Sequence, residues 1–141
     1  MIERTLSLIK PDGVARNLVG DVLTRCEGRG LKVVALKMAR LTLEAAKGFY
    51  VVHRERPFYQ SLAESMASGP IVAAVLEGEG AILMYRELMG ATDPKKAATG
   101  TIRAECAVSL EQNTVHGSDS PQSAAFEIPY FFSALELSGR G

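Results

Sequence analysis

The stretch Pro70-Ile71-Val72-Ala73-Ala74-Val75-Leu76 decides how the chain is organised. Six apolar residues follow the proline without a charge, with Ser68-Gly69 before them and Gly78 and Gly80 after. A run this short and unbroken, bounded by turn residues, reads as a central strand buried on both faces. Such a strand needs partners on each side and helices to cover it.

Upstream, Arg4 to Lys10 (RTLSLIK) alternates Leu6 and Leu8 against Thr5 and Ser7, the period of a strand. Pro11-Asp12-Gly13 is expected to stop it. Leu18, Val19, Val22, Leu23 and Cys26 recur at helical spacing over 17–28, and Gly28 to Gly30 end that helix. Leu31 to Arg40 reads as a second strand. Thr42 is placed to cap a helix starting near Leu43, and Pro57 opens another that fades at Ser68-Gly69. Downstream, Gly78 and Gly80 turn the chain into a helix over Ala81 to Met89. A loop from Gly90 to about Thr101 follows, with Cys106 to Leu110 expected as the fourth strand. A second loop, Glu111 to Asp119, leads to the cap Ser120-Pro121 and a last helix towards Phe132. Strands and helices in this order predict an α+β fold: a ferredoxin-like sandwich, with a four-stranded antiparallel sheet and helices packed on one face.

The chain has 141 residues, the size of one domain, and shows no repeat or linker. Apolar residues make up 47% and charged residues 23%, the balance of a globular chain rather than a disordered one. Sixteen basic residues match sixteen acidic ones, so the basic excess of a dedicated nucleic-acid binder is missing. The first residues pass straight into strand-like sequence, and no secretory signal is expected. The run Ile71 to Leu76 is far short of the ~20 residues of a membrane helix, so no membrane association is expected. Cys26 and Cys106 lack metal-ligand spacing and read as free thiols, which suits a cytoplasmic location.

Two histidines differ in their surroundings. His53 lies among Arg54, Glu55 and Arg56 and reads as part of a solvated helix end. His116 sits in the polar loop Asn113-Thr114-Val115-His116-Gly117-Ser118-Asp119-Ser120, just before a capped helix. Loops on rigid scaffolds carry many reactive groups. On position alone, an ordinary loop histidine and a catalytic one both remain open. Lys10 closes the first strand, and Arg86, Thr92, Lys95, Lys96, Thr99, Thr101 and Arg103 cluster in one loop-rich region. That grouping suits phosphate oxygens, although surface solvation accounts for any one member. Neither a Walker-type loop nor a GxGxxG turn is present. Glu127 falls about two turns, roughly 10 Å, into the last helix. It is either an orienting partner behind His116 or a solvated carboxylate.

Taken together, these segments resemble the nucleoside diphosphate kinase family along nearly the whole chain. The resemblance rests on Glu3-Arg4-Thr5-Leu6-Ser7-Leu8-Ile9-Lys10-Pro11-Asp12, Arg56-Pro57-Phe58-Tyr59, Ser68-Gly69-Pro70, Met89-Gly90-Ala91-Thr92-Asp93-Pro94 and Gly100-Thr101-Ile102-Arg103. Above all it rests on Asn113 to Ser120, which is similar to the family's N-x-x-H-G-S-D motif. It implies ping-pong transfer of a terminal phosphoryl group from a nucleoside triphosphate, chiefly ATP, to a nucleoside diphosphate. His116 would be the nucleophile, oriented by Glu127 and lined by Tyr50. Lys10, Arg86, Thr92, Arg103 and Asn113 would hold phosphates and ribose, with the base between Phe58 and Leu110. Mg²⁺ would travel on the nucleotide phosphates without a protein cage. The resemblance also implies a homo-oligomer, a tetramer or hexamer built from dimers.

The chemistry is consistent with those residue types. Exchange between two anhydrides gains almost no free energy, so the intermediate must keep its transfer potential. A phosphoramidate on nitrogen does so, whereas a serine ester does not. An imidazole, with a reference pKa of about 6.5, is mostly neutral and nucleophilic near pH 7. A regulatory or nucleic-acid-binding protein on the same scaffold, and a general histidine phosphodonor, are the competing readings. The intact set of chemical residues favours the enzyme over a degenerate member. Cys106 replaces a common aromatic, Glu105 a common aspartate, and Pro129 is expected to kink or loosen the last helix. The tail Ser138-Gly139-Arg140-Gly141 is expected to be flexible.

Overall fold

A computed structural model describes residues 1–139. In chain order the elements are β1 (Ile2–Ile9), α1 (Pro11–Ala15), α2 (Val19–Gly28), β2 (Lys32–Arg40), α3 (Leu43–Phe49), α4 (Tyr59–Met66), β3 (Pro70–Glu79), α5 (Ala81–Met89), α6 (Ile102–Cys106), β4 (Val115–Gly117) and α7 (Pro121–Phe131). The four strands form one sheet in the order β2-β3-β1-β4, with every neighbouring pair antiparallel. The apolar run is a central strand: Val75 faces Leu6 of β1, and Ala74 faces Leu36 of β2.

Alternation along the central strands divides the core in two. Leu6, Leu8, Ile71, Ala73 and Val75 pack with Phe49, Ala63 and Met66 on one face. Ile9, Val72 and Leu76 pack with Val22, Cys26, Tyr85 and Leu88 on the other. Helices therefore cover both faces, not the single face expected. A strand without polar alternation has no face that water can occupy.

β1 stops at Ile9 ahead of Pro11, as expected, and Pro11 then occupies the first turn of the short helix α1, where its missing N–H is no loss. Two local expectations are corrected. Cys106 to Leu110 is not a strand. The Thr101 hydroxyl accepts from Ala104 N at 3.3 Å, capping α6, which runs through Cys106. Val108 and Leu110 beyond it are 64% and 60% exposed, so no sheet claims them. The fourth strand is Val115–Gly117, inside the expected loop, where Leu8 faces His116. The tail is tied rather than loose as far as the description reaches. Ser138 N donates to Val34 O at 2.8 Å, Lys37 pairs with Glu136 at 2.8 Å, and Leu137 packs on the core. The rest of that expectation, Arg140 and Gly141, lies outside the described residues.

Two caps match expectation. Thr42 accepts from Ala45 N and Ser120 from Ser123 N, both at 3.0 Å. The helix α7 continues through Pro129 to Phe131, and Phe132 N still reaches Ile128 O at 3.0 Å. The missing proline donor is confined to one turn. Among the described residues, no helix is long and apolar enough to cross a membrane.

Candidate active site

The chain reaches β4 through a strained turn. Thr114, fully buried, holds φ at +76°, and Val115 N donates to Asn113 O at 2.8 Å across three residues. A β-branched residue in that region persists only when its surroundings impose it. Here Lys10 N donates to Thr114 O at 2.8 Å, fixing the turn to the end of β1. The turn delivers Val115 into the core and His116 to the opposite side.

His116 Nε2 lies 3.1 Å from Glu127 Oε1 of α7. The same oxygen accepts from the Ser118 hydroxyl at 2.9 Å, and that hydroxyl accepts from Leu6 N at 3.2 Å. Glu127 is thereby held by the sheet itself, through Ser118. Phe49 meets the imidazole edge-on at 5.3 Å between centroids, and Tyr50 does so at 6.0 Å. These rings restrict how the imidazole can turn.

In front of His116 opens a cleft of about 630 Å³. Of the ten residues singled out from the sequence, eight line it: Tyr50, Phe58, Arg86, Thr92, Arg103, Leu110, Asn113 and His116. Lys10 and Glu127 stand behind the lining. Lys10 Nζ donates to Asn113 Oδ1 at 3.0 Å and to Glu111 O at 2.9 Å. Asn113 in turn donates to Thr92 O at 3.3 Å, linking β1, the β4 turn and the loop after α5.

Burial shapes the charges. Lys10 is only 4% exposed, and desolvation lowers its pKa to about 8, against the pull of Asp12 and, more weakly, Glu111. Arg103 is lowered from its ordinary value chiefly by burial. Its guanidinium donates to Gly90 O at 3.0 Å and Val115 O at 2.8 Å, while Nε is buried with no partner. Tyr50 is raised by burial and then by Glu127, so it stays a neutral phenol. Asp119, on the cleft wall, is lowered chiefly by the hydroxyl of Ser123. The site thus joins one oriented imidazole to cationic and neutral donors.

Residue-level reasoning passed over four contributors. Ser118 shows in the sequence only as part of the motif, although a hydroxyl two residues after His116 is within reach of the same carboxylate. Glu111 and Asp119 line the cleft but sat in what read as plain loop. His53 is no solvated helix end: its ring lies 6.2 Å from Tyr50 and 5.6 Å from Phe58, on the cleft wall. Its charged neighbours hid this, because a short 3₁₀ turn points successive residues in different directions.

Comparison with known proteins agrees along the chain. The family model described as nucleoside diphosphate kinase matches residues 3–137. A nucleoside diphosphate kinase of Nitratidesulfovibrio vulgaris is 65% identical over 139 residues, spanning 99% of this chain and 100% of that protein. One of Desulfosudis oleivorans is 60% identical, with the same coverage. The solved Aquifex aeolicus nucleoside diphosphate kinase superposes with a TM-score of 0.95 at 49% identity, covering 97% of this chain and 99% of that one. A halophilic nucleoside diphosphate kinase from Halobacterium salinarum, solved in complex with CDP, gives 0.96 at 43% identity, covering 100% and 94%. From its buried strands to the cleft in front of His116, this chain belongs to the nucleoside diphosphate kinase family.

Proposed function

We propose that the chain passes a terminal phosphoryl group between nucleotides through a phosphohistidine on His116. The observation that supports this is the Glu127–His116 pair, which holds Nε2 of an imidazole that lines the cleft. With Nε2–H donating to Glu127, the lone pair sits on Nδ1. Nδ1 attacks the γ-phosphorus of a nucleoside triphosphate, the bond to the β–γ bridging oxygen breaks, and the diphosphate leaves. A second diphosphate then attacks the phosphoimidazole through its β-phosphate oxygen, and Nδ1 regains its lone pair. One cleft serves both halves in turn.

Transfer of this kind asks for positioning and charge neutralisation. Arg86, Thr92 and Arg103 line the cleft as phosphate donors, with Lys10 and Asn113 completing the set from behind. These groups suit phosphate oxygens rather than a bare cation, so Mg²⁺ would be held chiefly by the nucleotide's own phosphates, with Asp119 among the cleft-wall carboxylates that would favour a cation there. The ion would neutralise charge on the phosphoryl oxygens. Phe58 and Leu110, both exposed at the cleft, take the base by its faces, which every base possesses. Binding of nucleoside diphosphates is consistent with the CDP complex of the Halobacterium salinarum relative. Two buried free thiols accord with a cytoplasmic location. A homo-oligomer built from dimers completes the reading, because Leu36 and Met38 stand 52% and 62% exposed on the outer strand β2.

The test is two-step labelling. Protein with Mg²⁺ and γ-labelled ATP, freed of nucleotide and then given GDP, should carry an acid-labile label that moves to GTP. His116→Ala should carry none while keeping its fold. Label retained at wild-type level in that variant would refute the assignment.

A further inference from the structure

The two groups proposed to hold the base belong to different parts of the fold. Phe58 precedes α4, and Leu110 lies in the loop between α6 and β4. Among the described residues, no backbone–backbone hydrogen bond joins those segments. A side-chain bond does. The Ser61 hydroxyl donates to the carboxylate of Glu111, a residue of the cleft wall. Ser61 follows Phe58 by three residues, one turn along the helix, and Glu111 is the residue after Leu110. The bond therefore links the two walls right beside the stacking groups.

Glu111 is a fixed post for such a link. Its carbonyl accepts from Lys10 Nζ at 2.9 Å, and that ammonium also holds Asn113 at 3.0 Å. The α4 side is anchored as well, with Tyr59 OH donating to Lys47 O at 2.8 Å and Ala63 and Met66 fully buried. Ser61 itself is exposed, so water competes for the bond and lets it open. A hydroxyl-to-carboxylate bond is charge-assisted yet reversible, which suits a slot that must admit and release a nucleotide in every half-reaction.

We propose that Ser61 and Glu111 form a latch that sets the width of the base slot, making both positioning residues for the nucleotide base. This rests on the reading that the base stacks between Phe58 and Leu110. The latch adds equally to ground-state and transition-state binding, so its loss raises KM and leaves kcat alone.

The test measures kcat and KM of the full chain with ADP, GDP and dTDP as acceptors, and with ribose 5-triphosphate as a base-free donor. Ser61→Ala and Glu111→Ala should each raise KM for all three diphosphates about threefold to tenfold, the scale of one net hydrogen bond. The double variant should go no further, Ser61→Thr should stay near wild type, and Ser61→Ala should leave the base-free donor unaffected. Phe58→Ala is run alongside. If it raises KM while Ser61→Ala does not, the latch is wrong and stacking stands. If Phe58→Ala changes nothing, the stacking reading itself fails and the latch falls with it. Additive effects of Ser61→Ala and Glu111→Ala, or an equal loss of Ser61→Ala with the base-free donor, overturn the latch as well.

Discussion

Lys10 shows how burial and function compete at one residue. Its ammonium is almost wholly enclosed, and desolvation brings its pKa to about 8. For a base lowered from an unfolded value of 10.5, the unfolded chain holds more protons between about pH 8 and 10.5. Below pH 8 the folded protein carries the cost of a buried charge, and this group's contribution to stability improves as pH rises through the window. Phosphate binding through Lys10, as proposed above, has the opposite slope, because it would need the ammonium. ADP affinity should therefore fall once pH passes about 8, by at most about tenfold per pH unit, with proton uptake on binding. Calorimetric titration between pH 7 and 9.5 checks this, and Lys10→Met should give weak binding with no such slope. A lysine at a strand end was readable from the sequence. Its altered charge state was not, since that depends chiefly on the burial that the assembled fold imposes, with Arg103 brought beside it from far along the chain.

At the scale of elements, the strand carrying His116 was the hardest to read. β4 has three residues, too few for any periodicity to show. Its existence depends on β1 offering a free edge, which only the assembled sheet provides. The close approach of α5 to β4 explains the glycine after the histidine. A Cβ on Gly117 would lie 2.7 Å from both Met89 Cε and Tyr85 Cδ2. Met89 can swing its end aside, but Tyr85 is fully buried and hydrogen-bonded to Ser7 at 2.7 Å. Gly117→Ala should therefore cost about 1–3 kcal/mol by overpacking. Urea unfolding measures that loss. Displacing β4 by even about 1 Å should also slow phosphoryl transfer by up to roughly a hundredfold in single-turnover assays. Normal stability in that variant would mean α5 can move away. Long elements behaved differently. β1, β2, β3, α5 and α7 were all legible, because each spans enough residues for burial to write a period or a cap into the sequence.

For the whole molecule, the outer strand β2 is the unfinished part. Leu36 and Met38 project from the same side as Val72 and Ala74, beyond the reach of the covering helices. If dimers form over this surface, Met38→Lys should sediment at lower mass than wild type while keeping its helical circular dichroism. Unchanged sedimentation would move the interface elsewhere. The sequence by itself determined the antiparallel α+β layout and the buried central strand, and through its motif it put forward His116 and its companions as the proposed site. These are written locally, as patterns of burial, caps and a motif. Tertiary structure alone decided that helices cover both faces, that β4 exists, that Ser118 holds Glu127, and that Ser61 meets Glu111. Each of those depends on contacts between residues far apart in the chain, and no local pattern records which distant partner will arrive.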